Sequence, residues 1–384
     1  MFPTLGHLIN YLFGTDITLG FPTFGLMVAL AFIAAAIVMA SEMKRKEKVG
    51  LFNTFPEKIT VGEKPGIADF LSNGIFGFLL GFKLVYAIQN SDAFLKEPSA
   101  VLVSTEGNWI AGIIGLLAFG GWSYYQKKKS ALPNPETQTK QIHPYEIVPT
   151  ITMIAAVSGI IGAKIFHNLE NWDDFVADPI GSLTSFSGLT FYGGLIFGAG
   201  AVIWFVRRRG INFISIADSV APGLMLAYAI GRIGCQLAGD GDWGIENTNP
   251  KPAFLSWLPD WAWAFDFPHN VNNEGVRIAG CVGEYCSVLP VPVYPTAIYE
   301  TVMGLIIFGI LWALRKKLDK PALMFSVYLI FNGVERFAIE QIRVNTEYNI
   351  LGGITQAEII SSVLIVLGIA GTVYFSKKKT HVKI

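Results

Sequence analysis

Runs of apolar residues, each about twenty long and ending in a block of basic residues, constrain this chain more than any other feature. The blocks are Lys44-Arg45-Lys46-Glu47-Lys48, Lys127-Lys128-Lys129, Arg207-Arg208-Arg209, Arg315-Lys316-Lys317 and Lys377-Lys378-Lys379. A helix of that length satisfies its own backbone while crossing hydrocarbon, and the excess of Lys and Arg puts each block in the cytoplasm. Other apolar runs must then return the chain outward between blocks. The expected fold class is all-α, a polytopic helical membrane protein of nine spans at 21–40, 68–89, 109–125, 147–167, 189–207, 214–232, 296–314, 321–342 and 354–375. Its N-terminus is expected outside and its C-terminus in the cytoplasm. With 52% hydrophobic and 15% charged residues, composition agrees. The 29 basic and 29 acidic residues cancel, so nothing draws the chain to nucleic acid.

The connections carry further expectations. Residues 2–20 read as an amphipathic lead-in at the outer interface, without the basic start and small-residue cleavage site of a removed signal peptide. Residues 130–141, with Pro133 and Pro135, read as a cytoplasmic linker. Asp218 reads as a structural residue that caps or bends its own helix. The long segment 239–295 carries Trp257, Trp261, Trp263, Phe265 and Phe267 and is expected to lie on the outer leaflet surface. Within it Cys281 and Cys286 are expected to form a disulfide, since the topology places them outside the reducing cytoplasm. Gly81-Phe82-Lys83 with Tyr86, and Gly162-Ala163-Lys164 with His167, are alike but too weakly so to be read as a repeat.

Charged residues at membrane depth are functional candidates. The stretch from Gly231 through Arg232, Cys235, Asp240 and Asp242 to Gly244 ends the sixth span, where a snorkelling arginine and a Gly-rich turn are the plain alternative. In the eighth span Arg336, Glu340 and Arg343 are spaced i, i+4 and i+7, which predicts one helical face. The topology brings His167, Tyr192, Arg232, Asp240, Glu300, Arg336, Glu340 and Arg343 to the outer-leaflet side. Three arginines there suit a lipid phosphate, because guanidinium is permanently charged and binds phosphate bidentately. Asp240, Glu340 or His167 is available as acid or base. No spacing suggests metal ligands, so no metal or cofactor is expected.

These residues resemble the prolipoprotein diacylglyceryl transferases of bacterial inner membranes. The resemblance rests on Gly231-Arg232-Ile233 followed by Gly239-Asp240 and Gly244, on Ala217-Asp218 with Ala221-Pro222, on Gly193-Gly194-Leu195, on Pro295 with Tyr299-Glu300, and on Arg336-Phe337 with Glu340 and Arg343. Where the family has histidine, asparagine and glutamate, this chain has Tyr192, Cys235 and Asp240, and one extra residue precedes Gly244. The family's usual seven spans make the second and third spans look like an insertion, covering 52–146 within a single membrane domain. The resemblance implies transfer of diacylglyceryl from phosphatidylglycerol to the lipobox cysteine of a preprolipoprotein, with glycerol 1-phosphate released. The partners implied are phosphatidylglycerol, that lipobox segment and the surrounding membrane lipids. In that reading Arg232, Arg336 and Arg343, with Gly193, Gly194 and Gly244, hold the lipid. Asp240 or Glu340 positions the clamp or takes the thiol proton, and Tyr192 or His167 stands in for the family histidine.

Two other readings are weighed. A transporter or flippase for an anionic lipid also uses buried arginines, but it calls for polar features through the midplane and an inverted repeat. A covalent role for Cys235 is set against a small buried thiol that only packs. Full activity in Cys235→Ser ends the covalent idea.

Overall fold

The structure is a computed structural model and describes residues 1–184, 188, 190–344, 347–348 and 353–377. In order the chain forms α1 (Leu5–Phe13), α2 (Thr23–Lys48), β1 (Phe55–Val61), α3 (Ile67–Gln89), α4 (Ser91–Lys96), α5 (Pro98–Val103), α6 (Trp109–Lys129), β2 (Glu136–Ile142), α7 (Val148–Glu170), α8 (Trp172–Ala177), α9 (Pro179–Thr184), α10 (Phe191–Arg208) and α11 (Phe213–Ala238). After these come β3 (Val276–Arg277), β4 (Ser287–Val288), α12 (Thr296–Leu314), α13 (Leu323–Glu340), β5 (Glu347–Tyr348), β6 (Ile354–Thr355) and α14 (Gln356–Lys377).

Among the described residues, long helices stand at all the expected span positions. Six segments are long and apolar enough to cross a membrane: Thr23–Lys48, Ile67–Gln89, Pro144–Glu170, Phe213–Ala238, Thr296–Leu314 and Gln356–Lys377. Their outward faces carry the side chains that lipid would solvate, such as Ile33, Ile37, Ile160, Ile306 and Val366. The fold is mostly helical but not purely so. β1 and β2 pair antiparallel from Phe55 opposite Ile142 to Val61 opposite Glu136. The second half of the expected linker 130–141 is therefore strand, because its run of polar residues pairs with a segment that lies far away in sequence.

That ladder encloses α3 to α6, and α3 to α6 repeats α7 to α10. Ile67 corresponds to Val148, Gln89 to Glu170, Ser91 to Trp172 and Pro98 to Pro179, each pair 81 positions apart. Both copies run as a long helix, two six-residue helices of which the second begins at proline, and a returning helix that ends in basic residues. The likeness read as too weak to be a repeat is a repeat, carried by element lengths more than by residue identities. In the first copy Lys83 Nζ donates to the carbonyls of Val101 (3.1 Å) and Glu106 (2.8 Å) and to the Ser104 hydroxyl (3.1 Å). It thus gathers backbone acceptors at the end of α5, where helix carbonyls lack partners.

α11 is the central helix and packs against α2, α12 and α13, with α14 against α13. It runs on through Arg232 to Ala238 and stops at Gly239 in the left-handed conformation (φ 66°). The span expected to end at Arg232 therefore continues as helix for six more residues, and Arg232 and Cys235 share one face of it. Asp218, expected to cap or bend its own helix α11, caps α13 instead. Its carboxylate accepts from the backbone N–H of Ala322 (2.7 Å) and of Phe325 (2.9 Å), where the helix has unpaired donors.

The segment 239–295 is a small folded cap. Trp243, Phe267 and Val293 form its core, with Met1, Phe265 and Leu289 packed against them. Trp257 and Trp261 are exposed, as expected of residues at a leaflet surface, whereas Phe267 is buried. The difference arises because backbone pairing of Phe265 with Val293 folds the segment back on itself. Asn270, fully buried, accepts from the Glu274 N–H (2.8 Å) and donates to the Phe267 carbonyl (3.2 Å), which supports the left-handed residues Phe267, His269 and Asn273. Cys281 and Cys286 are joined by a disulfide, with Cα atoms 5.7 Å apart.

Candidate active site

Glu300 organises the site. It sits in the first turns of α12 with no exposed surface, and three guanidiniums surround it. Arg232 Nε lies 3.3 Å from Oε2, Arg336 Nη1 3.5 Å from Oε1 and Arg343 Nη1 3.3 Å from Oε1. The Tyr228 hydroxyl, one turn before Arg232, is 2.9 Å from Oε1. A second carboxylate, Asp242, joins Arg232 to Arg343 from the loop after α11. The third, Glu340, holds Arg336 at 2.8 Å one turn along α13 and accepts from the Thr355 hydroxyl at 2.7 Å.

Local structure explains how distant segments converge here. α13 ends at Glu340, and a turn carries the chain through Ile342 to Arg343. Arg343 therefore reaches the cluster from beyond the helix, and the expected single face for Arg336, Glu340 and Arg343 holds only for the first two. Its backbone bridges to Gly244, and the Ile245 N–H donates to the Ile342 carbonyl at 2.9 Å. A Cβ at Gly244 would lie 2.5 Å from the Ile342 carbonyl oxygen and 2.8 Å from Tyr294 Cβ, so only glycine lets these segments approach this closely. The Thr296 hydroxyl donates to the Asp242 carbonyl at 2.9 Å, tying the loop to α12.

The carboxyls of Asp240 and Asp242 are pushed in opposite directions although two residues apart. Burial works against ionised Asp242, but Arg232 and Arg343 outweigh it and hold that carboxyl below the usual carboxylate range. Burial, and then the charge of Asp242, push Asp240 up. The signs give a pH test. Stability from Asp242 is complete above the unfolded value of about 3.9 and disappears as pH falls through its lower folded value. The Asp240 contribution is complete below about 3.9 and is lost as pH rises toward its higher folded value. In acid titrations of thermal stability, Asp242→Asn is expected to remove acid sensitivity below about pH 4, and Asp240→Asn to raise stability above it. Equal profiles for the two variants would contradict the assignment.

Cys235 Sγ is buried 3.7 Å from Asp242 Oδ2 and 3.8 Å from Arg232 Nη1. Cys235, Asp240 and Asp242 bring ligand-type atoms within 4.8 Å of one another. Asp242 is already paired with two guanidiniums, so a cation at this cluster would have to compete with Arg232 and Arg343 for it. Arg343 Nε, buried, makes no hydrogen bond among the described residues.

His167 and Tyr192 lie in the α7–α10 hairpin, whereas the described ion-pair partners of the three arginines come from α12, α13 and the Asp242 loop. Asn171 Nδ2 is 3.2 Å from His167 Nδ1, and the Tyr192 ring meets Phe191 edge-on. Gly193 faces Gly162 across the helix crossing, so a Cβ on either would strike the other's carbonyl. Gly194 sits one contact along, its would-be Cβ 3.3 Å from the Gly159 carbonyl. Both glycines thus have a packing reason to be small.

Sequence reasoning did not assign site roles to Glu300, Asp242, Tyr228 or Glu335. Tyr228 is detectable as the i−4 neighbour of Arg232, and Glu335 as an acid in the same polar run as Arg336. Neither pattern alone shows that Tyr228 stands between Glu335 and Glu300.

Comparison with known proteins bears on this geometry. The family model for prolipoprotein diacylglyceryl transferase matches residues 110–374. A phosphatidylglycerol–prolipoprotein diacylglyceryl transferase of Dehalococcoides mccartyi is 28% identical over 298 residues, covering 76% of this chain and 96% of the relative. One of Corynebacterium glutamicum is 31% identical over 239 residues, 61% of this chain and 70% of the relative, and one of Clostridioides difficile is 30% identical over 236 residues, 61% and 80%. The match takes in the helices that carry Arg232, Glu300 and Arg336 as well as the loops that bring Asp242 and Arg343 to them, and the chain belongs to the prolipoprotein diacylglyceryl transferase family.

Proposed function

We propose that this protein transfers the diacylglyceryl group of phosphatidylglycerol to the lipobox cysteine thiol of a preprolipoprotein. The observation that carries the reading is the convergence of Arg232, Arg336 and Arg343 on Glu300 and Asp242. These guanidiniums are already in place before any anion arrives. Preorganised charge of this kind stabilises a developing phosphate dianion without reorganisation at the moment of reaction.

In the transfer, the thiol gives its proton to a carboxylate as sulfur forms a bond to the terminal glyceryl carbon. The bond from that carbon to the phosphate oxygen breaks, and glycerol 1-phosphate leaves with the electron pair. Asp240 suits the proton acceptor better than Glu340. Its carboxyl is raised and has no ion-pair partner among the described residues, whereas Glu340 is engaged by Arg336 and Thr355. Arg232 and Arg336 hold the phosphate, and Arg343 orients it through its second bond to Asp242. Tyr192 and His167 flank the lipid rather than act as base, with Gly193, Gly194 and Gly244 shaping its path.

The protein occupies the bacterial inner membrane with nine spans, N-terminus outside, and the site at outer-leaflet depth. Lipid enters sideways between helices. Segment 52–146 is an added hairpin on a strand pair. The repeated hairpins both return to a basic block, so they run in the same sense. A transporter built on inverted repeats would require the opposite.

The test is incubation of the purified protein, in membranes containing phosphatidylglycerol, with a lipobox peptide. A diacylglyceryl mass increment on the cysteine with release of glycerol phosphate, both lost in Arg232→Ala, is expected. Folded protein that yields no increment on a cognate peptide would refute the transferase reading and direct attention to lipid translocation.

A further inference from the structure

Beneath the arginines lies a carboxyl that the transfer chemistry leaves unused. Glu335 directly precedes Arg336 on α13 and is 3% exposed. Its Oε1 is 3.1 Å from the Tyr228 hydroxyl, and its Oε2 has no hydrogen-bond partner among the described residues. The same hydroxyl is 2.9 Å from Glu300 Oε1. A phenol has one proton and cannot donate to two carboxylates at once. Both contacts are hydrogen bonds only if one carboxyl is itself protonated and donates to the phenol oxygen.

The surroundings decide which one. Glu300 faces Arg232, Arg336 and Arg343 and is the anion. Glu335 has no guanidinium at ion-pair distance among the described residues. The charges also match without it, since Asp242, Glu300 and Glu340 each touch a guanidinium and three guanidiniums are present. An ionised Glu335 would be a further buried negative charge beside Glu300, with Arg232 and Arg336 acting on it only from beyond ion-pair distance, which is costly. The other titratable groups near it are Tyr228 on α11 and Tyr328 on its own helix, and Asp240 lies out beside Asp242 and Cys235.

We propose that Glu335 is a positioning residue that works as a neutral acid: it donates to Tyr228, which commits Tyr228 to donate to Glu300, and Glu300 so held sets the three arginines for a phosphate. The proposal rests on the arginine cluster being the phosphate site. Such hydrogen bonds polarise one another, so the Glu335 proton strengthens the Tyr228 bond to Glu300. Ionisation of Glu335 would turn the Tyr228 proton away from Glu300 and add a negative charge that competes with phosphate for the arginines.

Two measurements on the full-length protein in phosphatidylglycerol membranes test this. The first is infrared spectroscopy at neutral pH, where the wild type is expected to show the C=O stretch of a protonated carboxylic acid that Glu335→Gln lacks. The second is the pH profile of transfer to the lipobox peptide. Glu335→Ala and Tyr228→Phe are expected to raise KM for phosphatidylglycerol about tenfold, the scale of one hydrogen bond to a charged group. Glu335→Gln, whose amide still donates to the phenol, is expected to recover most of the loss caused by alanine and to move the alkaline fall in activity to higher pH. A wild-type spectrum in which Glu335→Gln removes no acid band would overturn the proposal. So would an alkaline limb in Glu335→Gln that coincides with the wild type. Should the wild type transfer nothing, the functional reading fails, and the infrared comparison, which needs no turnover, still decides the state of Glu335.

Discussion

Glu300→Ala is expected to cost the protein about 3–5 kcal/mol of stability and all measurable transfer, because it strips a buried carboxylate from three guanidiniums at once. The penalty comes less from lost attraction than from one buried positive charge in excess of the carboxylates that remain. Asp242 still holds Arg232 and Arg343 and Glu340 still holds Arg336, so three guanidiniums are left to share two carboxylates. Thermal unfolding in detergent, followed beside transfer activity, checks both parts. Glu300→Gln keeps the shape and a hydrogen-bond acceptor but not the charge, and is expected to fall between alanine and wild type. A Glu300→Ala protein that melts with the wild type and still turns over would mean that the arginines hold their places without Glu300.

Arg336→Lys is expected to lower kcat by roughly 10²–10³-fold, the scale seen when one preorganised donor to a developing oxyanion is removed. Arg336 uses two prongs in two directions, Nη1 toward Glu300 at 3.5 Å and Nη2 toward Glu340 at 2.8 Å. A lysine ammonium is a single point of charge on a flexible stem and cannot span both carboxylates while presenting a flat edge to phosphate. The loss is expected mainly in kcat, since Arg232 and Arg343 still attract the ground-state lipid. A loss confined to KM would make Arg336 a binding residue, and an unchanged rate would remove it from the clamp.

These two variants act on residues that were unequally visible in the sequence. Arg336 and Glu340 were legible from i, i+4 spacing, a local property of one helix, and the structure keeps them paired. Arg343 was legible as a member of the cluster but not in its manner of arrival, because the end of α13 is decided by a turn that pairs with Gly244 from another part of the chain. Glu300 was visible as a polar residue at the right depth, yet its place at the centre depends on how α11, α12 and α13 pack. Asp218 shows the same limit, for its partner is a helix terminus about a hundred residues away in sequence.

The repeat makes the point from the other side. Residue identity between α3–α6 and α7–α10 is low, since lipid-facing positions accept many apolar residues, whereas the lengths of the first three helices and the proline at the start of each second short helix are retained. Comparing element lengths finds what comparing letters does not.

By itself the sequence determined where long apolar helices form, which ends carry the basic blocks and which residues hold fixed charge near one end, because hydrocarbon length, helical period and permanent guanidinium charge are local or compositional properties. The tertiary structure alone decided that β1 finds β2, that Asp218 serves α13, that Asp242 joins Arg232 to Arg343 and that Glu335 meets Glu300 through Tyr228. Each of those depends on the packing of segments far apart in the chain, and no local pattern encodes which distant partner will neutralise a buried charge or satisfy a buried donor.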